Sequence, residues 1–584
     1  MLTTPQRILL CLAGAALIAC SRFDGHDQTL PPEIIEAIQQ LSSETAENRE
    51  SQNSDPTEIT IGKILIINRT VLADDDMLAP ILNNIHFVTQ KDVIYDELDL
   101  KEGDTVPRSR IYDAARYVRL LGPIKAARIF EQYNPATGKT DLTVVTRDRY
   151  SPKITTGASG TGGYSAIGIR LTEPSLFGRL YTLAGSYSRE NFRDFVSLNT
   201  GKARINGSRW EVGGGAMLGF ADSQHNYNAY TFNVAHPFTR NGQKHGFNLS
   251  GNFTQGVNYD YLASGIRRGI DSDTGKSFDL IYRTRVENIS AQYLFGIGVN
   301  DRIEFGPGLV HNIRQDYYIN PADQYSLGNT PAMLVSAVSR AFYQPQQYST
   351  HAVSFAVNTR NGNFVPMRNF QRYIFTEDQF EGLRTSTNIV HANPSLGLTD
   401  HYTMPSFTAS YQKNTHDQKW RMESSFSRIA TLWHAGPAYA TDDMWSAELR
   451  GFWFTKYGTL ALRSNLAQGY HLTQNMRATI ATQFTRGFSF GSVYSSAGNL
   501  TSIEYRSPGL KLPYIIIAGV LFYDHAGIGE TLSSLNFYSI AGFGIRSMWH
   551  EFDNNVFRID FGFNLNDHNF NFRNALQFGL SHSF

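Results

Sequence analysis

The chain has 584 residues, with 52 Lys and Arg matched by 52 Asp and Glu. That balance excludes the global field that draws nucleic acid, so no nucleic-acid partner is expected. The residues are 41% hydrophobic and 13% aromatic, with 49 Gly, yet no internal run approaches the roughly 20 apolar residues of a spanning helix.

Residues 1–21 predict a signal peptide. Arg7 supplies the positive end, and Ile8 to Ala19 form an apolar core too short to cross a membrane. Leu17-Ile18-Ala19-Cys20 resembles a bacterial lipobox, which would make Cys20 a lipidated N-terminus. Ordinary cleavage after Ser21 is the alternative. Either way Cys11 leaves with the signal, and no disulfide can form in the mature chain. Residues 22–57 predict a polar linker. Within it Pro31-Pro32-Glu33 opens a short amphipathic helix with Ile34, Ile35, Ile38 and Leu41 on one side.

Residues 58–148 predict a compact α+β unit. Ile59 to Asn68 is a strand, Asp92 to Leu98 a short helix, and a longer helix ends at Arg119 with Ile111, Ala114, Ala115 and Val118 on one side. Ile124 to Glu131 and Asp141 to Thr146 alternate as strands across Pro135-Ala136-Thr137-Gly138. The lone His86 reads as a structural histidine, with no ligand spacing around it.

From Lys153 to Phe584 a period of two dominates. Ile289, Ala291, Tyr293, Phe295, Ile297 and Val299 share one face. Trp445, Ala447, Leu449 and Trp453 lie opposite Ser446, Glu448 and Arg450, and Phe557, Ile559, Phe561, Phe563 and Leu565 lie opposite Arg558 and Asp560. One apolar and one charged face means one side in lipid and one in water. The first strand, from Ile154 to Tyr164, is weakened by Gly157, Gly160, Gly162 and Gly163. At the far end Phe578, Leu580 and Phe584 alternate with small polar residues. Polar stretches from Tyr261 to Lys276, Asp316 to Thr350 and Asn361 to Met404 are expected as loops.

Phe484-Thr485-Arg486-Gly487-Phe488-Ser489-Phe490-Gly491 is followed by strands carrying Glu504-Tyr505-Arg506-Ser507-Pro508 and Phe522-Tyr523-Asp524. This combination resembles the signature of the BamA/TamA insertases and two-partner-secretion transporters. In that superfamily a long loop folds back into an outer-membrane barrel and its tip Arg meets a wall carboxylate. The resemblance implies a mainly β fold: a 16-stranded antiparallel transmembrane β-barrel over residues 153–584, preceded by one POTRA-like periplasmic domain over 58–148. It places the inward-folded loop around 484–499, with Arg486, Gly487 and Phe488 at its tip and Asp524 or Glu504 as wall partners. A guanidinium held in a narrow lumen needs a fixed acceptor, because an unpaired buried charge is costly. Gly487 permits the sharp turn. Thr485 departs from the family's aliphatic residue.

Further matches are Asn84-Ile85-His86, Arg116-Tyr117-Val118-Arg119-Leu120-Leu121, and Leu176-Phe177-Gly178-Arg179. Phe578, Leu580 and the terminal Phe584 resemble an outer-membrane sorting signal. The family implies outer-membrane lipids, the outer-membrane assembly machinery and a polypeptide client as partners, the client adding a strand at the edge from Ile124 to Glu131. Residues 33–41 match either the family's plug helix or a plain spacer.

The expected function is insertion or translocation of polypeptides at the bacterial outer membrane, without cofactor or metal. The alternative is a passive channel or structural barrel. No enzymatic activity is expected. Gly487-Phe488-Ser489-Phe490-Gly491 fits a hydrolase pattern, but no helix follows it.

Overall fold

The computed structural model describes residues 57–580 except 70, 72–85, 162–163, 191–192, 222–223, 260, 263–264, 267, 271–276, 280, 319–346, 369, 371–375, 397–400, 435–438, 473–494, 550–555 and 567–575. Cys20, the helix expected over 33–41, the loop tip Arg486, Gly487 and Phe488, and Phe584 lie outside the described residues.

Residues 58–148 form a four-stranded sheet with two helices. In chain order these are β1 (Glu58–Arg69), α1 (Lys91–Leu98), β2 (Thr105–Pro107), α2 (Ser109–Arg119), β3 (Ile124–Asn134) and β4 (Lys139–Asp148). The sheet order is β2-β1-β4-β3, with β1 and β4 parallel and the outer pairs antiparallel. α1 buries Ile94 and Leu98 one turn apart, and α2 buries Ile111, Ala114, Ala115 and Val118, the i, i+3, i+4, i+7 stripe of an amphipathic helix. These residues pack on Ile61, Leu142 and Val144 of the sheet. Leu180 and Ala203, from two turns of the following barrel, join the same core. The two units therefore share apolar contacts as well as a chain connection.

β1 carries a bulge between Ile61 and Ile64. Gly62 and Lys63 bend out of register there, and the freed Lys63 amide donates to Asp141 Oδ1 at 2.7 Å. A Cβ on Gly62 would sit 2.0 Å from that oxygen, so only glycine admits the carboxylate.

Residues 153–580 form one large antiparallel sheet of 21 strand segments that closes on itself, Leu576–Leu580 meeting Lys153–Thr161. The two-residue segment Leu510–Lys511 shares the partner strand Ile516–Gly529 with Ala497–Arg506, and so continues that strand. Sixteen strands were expected for this region; at its N-terminal end six of the segments fit between Lys153 and His236.

The stretch from Asn361 to Met404, expected as a loop, instead holds the end of Gln347–Arg368, all of Thr376–Ala392 and the start of Tyr402–Asn414. Its polarity is that of inward positions such as Arg384 and Ser386, while Leu383 and Ile389 point out. The stretch from Tyr261 to Lys276 carries parts of two small ribbons outside the main sheet.

The barrel is inverted relative to a soluble sandwich. Ile169, Leu198, Leu309, Phe355, Leu383, Phe426, Leu462, Leu521 and Phe543 are exposed on its outside. Arg302, Arg421, Glu504, Arg506, Asp524, Arg546 and Asp560 are buried inside. Apolar outside with ionic inside is the arrangement that a bilayer-spanning barrel requires.

Candidate functional site

Strand alternation alone puts Ser502, Glu504 and Arg506 of Ala497–Arg506 on the lumen side, since Ile503 and Tyr505 are exposed. On the neighbouring strand Asp524 stands directly opposite Ser502 and shares its face with Val520 and Phe522. The Ser502 hydroxyl donates to Asp524 Oδ1. Arg506 Nε donates to Glu504 Oε1 at 2.7 Å, and Arg546 Nη2 lies 3.7 Å from Glu504 Oε2. Arg546 Nη1 in turn donates to Asp560 Oδ1 at 2.6 Å, with Arg558 Nε 3.9 Å from the other oxygen.

Glu504, Arg546 and Asp560 are at most 1% exposed. Val520, Phe522 and Ile540 cluster on the same wall, so these charges interact in surroundings drier than bulk water, where each pair counts for more. Gly544 makes the contact with Asp560 possible: a Cβ there would meet Asp560 Oδ1 at 2.2 Å.

The structure thus brings together both acids singled out from sequence, Asp524 and Glu504, on adjacent strands of the lumen wall. It sets Glu504 in a larger network with Arg506, Arg546, Arg558 and Asp560, and gives Asp524 the Ser502 hydroxyl. The spacing Glu504-Tyr505-Arg506 already carried a signal, because residues two apart on a strand share a face. Arg546 carried none, because its pairing depends on register with a strand fourteen residues on. Phe578 and Leu580 pair with Ile559 and Phe557 in the last strand. The segment expected as loop through residue 499 becomes strand from Ala497 onward.

A second constellation joins the small domain to the barrel rim. Glu97 of α1, 2% exposed, receives Arg204 Nε at 2.8 Å and the Arg240 guanidinium. Asp99 receives Arg209 at 2.8 Å. In α2, Tyr117 accepts from the Asn241 amide at 2.9 Å, Arg116 lies over the Phe364 ring at 4.4 Å, and Arg119 reaches Asp378. Burial, followed by the charge of Asp113, pushes the Tyr117 hydroxyl above its ordinary range, so it remains a neutral phenol. These contacts extend from the turn after residue 202 to the strand Thr376–Ala392.

His86 belongs to the same joint. Its Nε2 lies 3.0 Å from Asp148 Oδ2 and its Nδ1 lies 3.2 Å from Ser151 Oγ. Asp148 also accepts from the Thr89 amide at 2.7 Å. Although a Ser, a His and an Asp meet here, Ser151 is fully buried and donates to Glu173 Oε2 at 2.8 Å. An acyl-transfer triad needs an open nucleophile. This chain of bonds instead ties the end of β4 to the second barrel strand. Among the described residues no group of three or more His, Cys, Asp or Glu is placed to hold a metal ion.

No protein-family model matches the chain, and no curated protein matches it in sequence. Among solved structures it is similar to BamA from Haemophilus ducreyi lacking POTRA domains 1–3, at 13% identity over 98% of this chain and 97% of that one, with a TM-score of 0.32. It is also similar to CdiB from Acinetobacter baumannii, at 9% identity over 88% and 97%, with a TM-score of 0.40. A further match is CdiB from Escherichia coli, at 10% identity over 95% and 99%, with a TM-score of 0.33.

Proposed function

We propose that the chain is a bacterial outer-membrane barrel that inserts or translocates client polypeptides, with residues 58–148 acting as a POTRA-like receiving domain in the periplasm. The observation that carries this reading is the domain joint. A small sheet is fixed by buried ion pairs and shared core to one rim of an inverted barrel, and β3 is its outer strand. Such an edge takes up an extended client strand through backbone hydrogen bonds, with loose demands on client sequence. Lipids of the outer membrane cover the apolar exterior, and the assembly machinery reads the last strand through Phe578, Leu580 and Phe584.

Arg486, Gly487 and Phe488 form the tip of an arm that enters the lumen and meets Asp524, with Glu504 next to it. Support comes from the burial of both acids on the two strands that follow the 473–494 connection. The first strand at the closing pair, Lys153–Thr161, carries Gly157 and Gly160, and a strand so weakly specified suits opening for a client.

The test replaces Arg486 by Ala in the full chain. Reduced client export together with a lowered temperature for heat-modified gel mobility supports the reading. Unchanged export and mobility reject the arm. Large ion conductance, unaffected by deleting residues 58–148, favours a passive channel instead.

A further inference from the structure

On the lumen wall Arg302, Arg360 and Arg384 stand directly opposite one another on three successive strands. Leu383 and Ile303 on the same strands are exposed outside, so all three guanidiniums are set on the inner face. Directly opposed like charges are destabilising, and neighbouring strands hold them only about 5 Å apart. One carboxylate lines this part of the wall, Glu304, and it accepts from Arg302 Nε at 2.6 Å. Arg360 reaches only neutral acceptors, the Val299 carbonyl at 3.0 Å and Asn241 Oδ1 at 3.3 Å.

Arg384 lies over the Phe380 ring at 3.9 Å, and its Nε is buried without a hydrogen-bond acceptor. The three arginines with Glu304 leave a charge of two positive units against a cavity of about 310 Å³, to which Ser386 and Ser410 also contribute. Held this close, with no acid paired with Arg360 or Arg384 among the described residues, the row favours an anionic occupant of the cavity.

We infer that this cavity binds a tetrahedral divalent oxyanion of the phosphate class, gripped by the Arg360 and Arg384 guanidiniums. Both guanidiniums line the cavity one strand apart, each with an Nε that meets no acceptor, and a guanidinium matches phosphate oxygens in geometry as well as charge. Ser410 supplies a neutral donor for a remaining oxygen, while the Ser386 hydroxyl donates to Asn358 Oδ1 at 2.7 Å. The site is separate from the Glu504–Asp560 network and does not depend on whether the barrel handles polypeptides.

The experiment is calorimetric titration of inorganic phosphate into the full-length protein in detergent. Saturable binding is expected in the native protein. Arg384→Gln and Arg360→Gln should each weaken it at least ten-fold. Arg428→Gln, which alters an exposed arginine paired with Asp443, should leave it unchanged. Acetate at equal concentration should not displace phosphate. If Arg384→Gln loses its heat-modifiable gel band, Arg384→Lys is measured instead; it keeps the charge, loses the fork, and must still bind more weakly. Absence of saturable binding in the native protein, native affinity in the Arg360 and Arg384 variants, an equal loss in Arg428→Gln, or displacement by acetate would each overturn the assignment.

Discussion

Arg119 and Asp378 are 259 residues apart in sequence and meet fork to fork, Nε to Oδ2 at 3.1 Å and Nη2 to Oδ1 at 3.2 Å. One sits at the end of α2 and the other on a barrel strand. With Glu97 between Arg204 and Arg240, this pair makes the domain part of the rim.

Glu97 is the pivot of that joint. Removing one member of a buried ion pair leaves its partner charged and unmatched, at a cost of about 3–5 kcal/mol. Glu97→Ala is therefore expected to release α1 and α2 from the rim, with amide exchange over residues 91–119 rising at least ten-fold while the barrel strands keep their protection. Unchanged exchange would mean that the shared core at Leu180 and Ala203 suffices.

In the lumen wall, Arg546→Ala removes the hydrogen-bonded partner of buried Asp560, leaving Arg558 at 3.9 Å, and weakens the hold on buried Glu504. The temperature at which the heat-modified gel band converts should fall clearly. A double change, Arg546→Met with Asp560→Leu, removes both charges and should recover part of the loss. Equal loss in the double variant would contradict a cost arising from stranded charge.

Gly178 lies at φ +68°, and a Cβ there would sit 2.0 Å from the Val88 carbonyl oxygen. Its own carbonyl accepts from the Gln90 amide at 3.0 Å. Gly178→Val should disturb this turn by about 1–3 kcal/mol and speed exchange at Gln90. Native-like exchange at Gln90 would show that the turn can retreat from the domain without penalty.

Asp141 is held below the ordinary carboxylate range, first by the Lys63 amide and then by the Asn134 side chain. A depressed carboxylate stabilises the fold above its unfolded value and loses that contribution as pH falls through its folded value. The window therefore opens below about pH 4. Because Asp141 is largely exposed, the effect is under about 1 kcal/mol. Exchange at Lys63 should be faster in Asp141→Asn than in the native chain at pH 7, and the ratio should fall toward one as the pH is lowered below about 4. A ratio independent of pH would contradict the charge as its source.

Much of the fold was legible from alternation. Tyr293 and Ile297, and likewise Leu449 and Trp453, share faces in the sequence and are exposed together on the barrel. Helix ends at Leu98 and Arg119 agree with the structure, because both helices carry a clear apolar stripe. The strand Thr376–Ala392 was missed because its lumen side carries Arg384 and Ser386 and its outer side mixes Thr385 with Leu383, which blurs the period-two contrast. Facing pairs were out of reach for a different reason. Arg546 with Asp560, Glu97 with Arg240, and the row Arg302, Arg360, Arg384 exist only through register and docking, which no local pattern encodes.

The most direct test of the central claim places a photo-crosslinking amino acid at Gln132, an exposed position on β3, in the full-length protein in its native membrane, with Tyr457 in an exposed barrel turn as the control position. The account predicts adducts with client polypeptides at Gln132 that are absent at Tyr457. No polypeptide adduct at Gln132, or the same adducts at both positions, would contradict a client-receiving edge.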